Sequence, residues 1–427
     1  MLNTNIDSLW SMVKKIPQPI KVLAAVMLFF EFGFGFIDPW WSIYINDITN
    51  NLIFTSVIIS TFSFAGLLIV FPLGKVIDKF DHKTIIQLSL WMYLAVSSLY
   101  LLAGFWHSVW LLWLAVFING IGSIIIFETG QAYIDRHYSG DRSFNFSYYL
   151  SLDSLGFTLG TLSVLAIVTW WPLYYGFFAV FLFTVLGLLI SRRLQSTNNI
   201  VVNYSHLIKD IFSPDYLLKS LHSLKYYHKF FYIQIMSVFT IFFINFCFIV
   251  FIPLVGIEQN LSLLEIGIVS IVYHVPIFLS VYYSKFVDRL LKRVTILSGF
   301  WLMACLFLVF HIWHSEAMFW VVGFLMSLSL TVLNMVIRPV LFQMSPLNLE
   351  GETAALTKLA EKLGTIISPL FVGLAAQWFG FNSLYLILAG AIFLIGTVVY
   401  FYYHRYYEDT GITSTVGIVK SWHRSGN

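Results

Sequence analysis

Acidic side chains set in apolar sequence are the groups in this chain best placed to do chemistry. Glu31 and Asp38 lie in Phe-Glu-Phe-Gly-Phe-Gly-Phe-Ile-Asp-Pro, Glu128 in a run rich in Ile and Phe, and Asp153 one turn before Gly156. A charged side chain at the centre of a membrane helix costs about 2.5–3.5 kcal/mol on insertion scales, so an acid there is expected to have a function. Loss of water favours the neutral form of a carboxyl group, and access to water favours the charged form. An acid that meets water on one side and then on the other can load a proton and release it. Such an acid could couple transport to protons. Glu31 and Asp38 are seven residues apart, which brings a helix back to nearly the same face, with a drift of about 20°. Glu31, Asp38, Glu128 and Asp153 are therefore the candidate proton-coupling or substrate residues. Asp135, beside Arg136 at the end of its run, is expected to form an interfacial pair instead.

Phe29, Phe30, Phe32, Phe34 and Phe36 surround Glu31. A carboxylate among aromatic faces suits a hydrophobic cation. The second half offers polar candidates for a cavity: Gln234, Asn245, His274 and Asn334. An imidazole changes charge near neutral pH, but His274 beside Pro276 equally suits a packing role. No acid of the second half falls clearly in a span core. Glu361, with Lys358 and Lys362, is expected near an inner helix end, and Arg338-Pro339 likewise. No membrane Lys or Arg is thus expected to balance the acids. Trp40-Trp41 and Trp170-Trp171 read as interfacial belts.

Helices spanning a bilayer must position these residues. The chain has 427 residues, 59% hydrophobic and only 11% charged, against roughly 25% charged in a soluble domain. Too few charges remain to cover a soluble protein of this length. Cys247 and Cys305 lie in apolar runs and suit small buried hydrophobes rather than a disulfide or a metal site. No cleavable signal peptide is visible.

A span needs about 20 apolar residues, and twelve such runs can be read: 20–45, 53–73, 84–105, 109–133, 147–170, 173–190, 230–255, 264–283, 294–313, 318–341, 354–378 and 381–403. Placing the segments on alternate sides puts all 24 Lys and Arg residues on one side, the cytoplasmic side by the positive-inside rule. The opposite loops carry acids such as Asp47, Glu258, Glu265 and Glu316. The expected fold is an all-α membrane protein of twelve transmembrane helices in two six-helix bundles, with both termini cytoplasmic. Residues 1–190 form the first bundle, 191–229 a cytoplasmic linker, 230–403 the second bundle and 404–427 a cytoplasmic tail.

A ten-residue loop recurs in the two halves. Gly74-Lys75-Val76-Ile77-Asp78-Lys79-Phe80-Asp81-His82-Lys83 follows the second run, and Ser284-Lys285-Phe286-Val287-Asp288-Arg289-Leu290-Leu291-Lys292-Arg293 follows the eighth. A small residue permits close helix approach, and the Asp can meet a helix N-terminus, whose dipole favours negative charge. Gly74, Asp78, Lys79, Lys83, Asp288 and Arg289 are the candidate gating residues; solvated residues that only set topology are the alternative for the basic ones. The loop resembles the signature of the major facilitator superfamily, roughly Gly-x-x-x-Asp-Arg-x-Gly-Arg-Arg/Lys, with Asp81 in place of the second glycine and Lys79 and His82 in place of arginines. The resemblance implies the major facilitator fold and alternating access. Paired acids in the first span are further similar to the multidrug/proton antiporters of that superfamily. The fourth-span arginine of the proton-coupled pattern, which would fall near Val116, is absent, and Gly156-x-x-x-Gly160 leads to Thr161 where the antiporter pattern has Gly-Pro.

The function implied is proton-coupled efflux, by antiport, of hydrophobic or cationic small molecules. The alternative is a proton-coupled carrier of a metabolite, sugar or lipid precursor; an intramembrane enzyme or non-transporting receptor is a remote third. No P-loop, HExxH, GxSxG or Cys/His metal pattern occurs, so neither an enzyme nor a cofactor is expected. The expected partners are a small-molecule substrate, protons and the lipid bilayer, with no nucleic acid and a monomeric state. The expected location is the cell membrane as a multi-pass protein, with a bacterial inner membrane favoured.

Overall fold

The computed structural model describes residues 16–137, 142–165, 168–196, 229–287, 290–313, 315–343 and 350–410. Among these the regular structure is helical. In chain order the helices are α1 (Gln18–Gly35), α2 (Trp41–Thr49), α3 (Leu52–Lys79), α4 (His82–Trp106), α5 (Val109–His137), α6 (Arg142–Val164), α7 (Gly176–Ser191), α8 (Lys229–Glu258), α9 (Leu263–Val287), α10 (Lys292–Ile312), α11 (Glu316–Gln343) and α12 (Glu350–Thr410). Short 3₁₀ turns precede α2 and α7, at Asp38–Trp40 and Leu173–Tyr175.

Ten stretches of the described chain are long and apolar enough to cross a membrane. α6, which carries Arg142 and Asp153 among several serines, is not among them. The last stretch, Ala355–Arg405, has 51 residues. At 1.5 Å per residue it measures about 76 Å, more than twice the roughly 30 Å of a hydrocarbon core. Gly380 divides it with φ 74° and ψ 161°, a conformation that only glycine adopts without strain.

The first crossing is also interrupted, where the sequence suggested one continuous span. α1 ends at Gly35, a 3₁₀ turn covers Asp38–Trp40, and α2 resumes at Trp41. Pro39 has no N–H to donate to the helical ladder, which accounts for a break at this point. At this break Trp40 is packed inside the protein, 0% exposed. Trp41 is turned inward as well, and its indole N–H donates to Tyr100 Oη at 3.3 Å. Trp170 and Trp171 remain exposed, at 81% and 60%.

The helices group into two compact units: Met1–Ile48 with Leu68–Ser213, and Thr49–Leu67 with Pro214–Asn427. In the first unit α1 packs on α6 and α7, and α4 on α5 and α7. Glycines set the closest of these contacts. A Cβ at Gly156 would collide with the carbonyl of Leu28, and one at Gly160 with that of Phe32 and, at 3.1 Å, with Gly35 Cα. The matched positions rise together, so α1 and α6 run parallel with their backbones nearly touching. In the second unit α8 packs on α12 and α11, α10 on α12 and α11, and α9 on α11. Gly364 on α12 repeats the joint there: its Cβ would stand 2.6 Å from the Phe239 carbonyl oxygen of α8.

Candidate proton-coupling site

The parallel contact of α1 with α6 carries two of the predicted acids towards one another. Glu31 sits on α1 near the middle of the Gln18–Thr49 crossing and is half-buried. It lies within electrostatic reach of Asp153 on α6 and of Asp38 at the break after α1. Asp38 therefore meets Glu31 although no continuous helix joins them, and its side chain is exposed. Glu128 on α5, half-buried, joins through Tyr149: this α6 tyrosine lies within reach of Asp153, Glu31 and Glu128. The first unit thus gathers Asp38 and Asp153 around Glu31, and Tyr149 lies within reach of Glu31, Asp153 and Glu128.

Tyrosines surround these acids, and sequence reasoning had not singled them out. Tyr149 is 1% exposed, and its hydroxyl is buried without a hydrogen-bond partner. The Asp153 Oδ1 atom is likewise buried and unpartnered. A buried polar atom left unpaired costs about 1–3 kcal/mol, so a bound proton, water or ligand group is called for at each. On α4, Tyr93 lies within reach of Glu31 and Asp38 and is hydrogen-bonded to Ser123. Its ring meets those of Phe30 and Phe34 with centroids at 4.6 and 5.3 Å. One turn of spacing on α1 thus gives an aromatic wall on the α4 side of Glu31. Phe32 and Phe36 point away, towards Phe183 of α7. Tyr100 accepts from Asn119 Nδ2 at 3.2 Å and lies within reach of Asp38. Room for two of these rings comes from glycines of α5: a Cβ at Gly122 would stand 3.2 Å from Tyr93 Cε2.

The polar candidates of the second unit are placed differently. Gln234 is 0% exposed, and its Oε1 accepts from Tyr403 Oη at 2.8 Å, a helix-packing bond rather than a cavity position. Asn245 accepts from Tyr273 Oη. His274 Nδ1 contacts the Ser270 carbonyl at 2.8 Å, and Asn334 Nδ2 donates to the Leu330 carbonyl at 3.1 Å; both side chains are half-buried. Arg338 and Glu361, separately assigned to helix ends, form an ion pair at 2.8 Å. Glu361 is only 5% exposed and falls within the Ala355–Arg405 stretch, so the second half does hold a buried membrane acid. Asp135 and Arg136 are both exposed at the end of α5. Among the described residues no group of His, Cys, Asp and Glu side chains is arranged to hold a metal ion.

Of the loop candidates, Asp288 and Arg289 lie outside the described residues, as does the side chain of Asp78. Gly74 and Lys79 are exposed at the end of α3. Among the described residues, a Cβ on Gly74 would meet nothing within 4 Å. The residues that depart from the signature tie the loop down. Asp81 caps α4, accepting from Thr84 N at 3.1 Å, and also accepts from Ser196 Oγ at 3.0 Å. His82 is fully buried with Nε2 3.0 Å from the Ile77 carbonyl. Lys83 donates to the Arg192 carbonyl beyond α7 at 2.8 Å.

The sequence matches the profile of the Major Facilitator Superfamily over residues 23–269 and 234–420. The chain belongs to the major facilitator superfamily. No curated protein matches it. Its fold is similar to solved structures across nearly the whole chain. The human organic anion transporter MFSD10 (TETRAN) aligns with a TM-score of 0.63 at 15% identity, covering 89% of this chain and 98% of that one. A POT family transporter in complex with 5-aminolevulinic acid gives 0.71 at 11%, covering 90% and 95%. A POT family transporter in complex with a thioalcohol-conjugated peptide gives 0.73 at 11%, covering 91% and 96%. This superfamily member is a multi-pass membrane protein and a transporter rather than an enzyme.

Proposed function

We propose that this superfamily member is a proton-coupled secondary transporter working by alternating access, exporting hydrophobic small molecules in exchange for protons. The observation that carries the proposal is the approach of Glu31 to Asp153 beside the unpartnered Asp153 Oδ1. Two carboxylates in a space poor in water repel one another when both are charged, and a proton relieves the repulsion. Such a pair titrates as a unit. Glu128, reached through Tyr149, and Asp38, at the break, would extend the path towards opposite ends of the helices. Twelve spans with both termini cytoplasmic belong to this proposal, counting α6 as a span and α12 as two.

Two cargo classes fit. Glu31 among Phe30, Phe34 and Tyr93 suits a hydrophobic cation. An acidic metabolite is the second, favoured by the half-exposed Arg338 of the second unit; two of the similar structures are described as an organic anion transporter and as a complex with 5-aminolevulinic acid. The test is uptake into liposomes under an imposed pH gradient, with tetraphenylphosphonium and a neutral sugar as probes, for the wild type, Glu31→Gln and Glu128→Gln. Gradient-driven movement that both variants lose by tenfold or more supports the proposal. Movement that ignores the gradient, with both variants matching the wild type, refutes it.

A further inference from the structure

Three acids of the first unit stand at different levels along the contact of α1 with α6. Gly156 faces Leu28 and Gly160 faces Phe32. On that register Asp153, three residues before Gly156, lies level with Ala25, three before Leu28. Glu31 is six residues further along the axis, and Asp38 seven further again. At 1.5 Å per residue the steps are about 9 and 10 Å. The acids therefore form a ladder with Glu31 as the middle rung, within electrostatic reach of the other two. Among the described residues no hydrogen bond joins any two of them, and no Lys, Arg or His is paired with any of the three. The upper rungs have accessible surface, Asp38 being exposed and Glu31 half-buried.

Donors are missing at the lowest rung. Tyr149 and Asp153 are four residues apart on α6 and so share a face. Tyr149 is 1% exposed. Its Oη and the Asp153 Oδ1 are both buried, and neither has a hydrogen-bond partner among the described residues. An ammonium carries N–H donors and no acceptor, so one head group can serve both oxygens. Between Glu31 and Asp38 the wall is aromatic instead. Phe34 meets the ring of Tyr93 with centroids at 5.3 Å, and Tyr93 lies within reach of both acids. Negative charge at intervals, with an aromatic surface between, complements a chain that alternates ammonium groups with alkyl arms.

We infer that Asp153, Glu31 and Asp38 bind a linear polyamine, one ammonium to each carboxylate, with the alkyl arm between Glu31 and Asp38 lying against Phe34 and Tyr93. The ammonium at Asp153 also donates to Tyr149 Oη. Three ionised rungs are balanced in full by a triamine, whereas a diamine leaves one unmet. This inference rests on the transport reading of the same acids and narrows the first of its two cargo classes to a polycation.

The experiment is equilibrium binding to the purified full chain in a non-ionic detergent. The probe is bis(hexamethylene)triamine, with spermidine, 1,6-diaminohexane and hexylamine for comparison. Its long arms suit rungs about 9–10 Å apart, so it should bind several-fold tighter than spermidine, whose amines are closer together. It should bind at least tenfold tighter than 1,6-diaminohexane, and hexylamine should bind weakest. Asp38→Asn removes the top rung and should bring the triamine down to the affinity of the diamine; Asp153→Asn should do the same. Tyr149→Phe deletes only a hydroxyl, and it should melt as the wild type does and bind the triamine several-fold more weakly. Wild-type triamine binding by Asp38→Asn and Tyr149→Phe together overturns the inference. So does affinity that fails to rise from hexylamine to the triamine. Binding needs no gradient, so the two readings fail separately. Gradient-driven uptake without any preference for the triamine sinks the polyamine alone, and triamine preference without gradient-driven uptake sinks only the coupling.

Discussion

Gly130 on α5 faces the hydroxyl of Tyr149 on α6, so that a Cβ at Gly130 would stand 3.0 Å from Tyr149 Oη. That hydroxyl is buried and has no hydrogen-bond partner among the described residues. Deleting an unsatisfied buried hydroxyl is close to neutral for stability. Tyr149→Phe should therefore melt within about 0.5 kcal/mol of the wild type. If the hydroxyl serves the acid cluster, the same variant should lose gradient-driven transport by about tenfold, a loss of about 1.4 kcal/mol in barrier terms. Unchanged transport by Tyr149→Phe would make the tyrosine a packing residue.

The backbone contact between α1 and α6 leaves no space for a larger side chain at Gly156 or Gly160. Gly156→Val and Gly160→Val must push the helices apart, and overpacking of this kind costs typically 1–3 kcal/mol or more. Both variants should give less folded protein and a lower melting temperature in detergent. Gly390→Val, at a position where a Cβ meets nothing within 4 Å, is the control and should melt as the wild type does.

Tyr403 and Gln234 form a fully buried hydrogen bond between the last and first crossings of the second half. Interhelical bonds of this kind average about 0.6 kcal/mol, with maxima near 1.7. Tyr403→Phe leaves the Gln234 amide wholly unpaired and should destabilise by that order. Adding Gln234→Leu to Tyr403→Phe should restore much of the loss, because the orphaned Gln234 amide is then gone. Thermal melts of the two single variants and the double variant measure the coupling.

Asp81 stands where the family signature has glycine, and it takes two roles that a glycine cannot fill. It caps α4 through Thr84 and holds Ser196 beyond α7. Asp81→Gly should lose only a few tenths of a kcal/mol as a cap, whereas Asp81→Ala should lose about 1. Proteolysis in the segment after α7 should rise equally in both variants, because both remove the Ser196 contact. Proteolysis equal to that of the wild type would show that this tether does not matter.

Hydropathy made the membrane helices legible, and the cost of charge in hydrocarbon made the acids stand out against them. Glu31, Asp38, Glu128 and Asp153 announced themselves by type; Glu31 lies within electrostatic reach of Asp38 and Asp153, and Glu128 within that of Tyr149. Their tyrosine neighbours did not, since Tyr93 and Tyr149 in an aromatic-rich chain look like any other bulky residues. The Arg338–Glu361 pair joins positions 23 residues apart on separate helices. Each residue alone resembles an ordinary helix-end charge, and only packing shows that the acid is buried between cations. The break in the first crossing could have been read from Pro39; the long apolar run around it hid the signal.

That break gives the first crossing an articulation. Between Gly35 and Trp41 the regular ladder of backbone bonds is already interrupted, so swivelling α2 against α1 sacrifices little that an intact helix would have to surrender. Asp38 sits at the pivot. Bending there would change its distance from Glu31 directly, making the spacing of two carboxylates depend on the angle of a single joint.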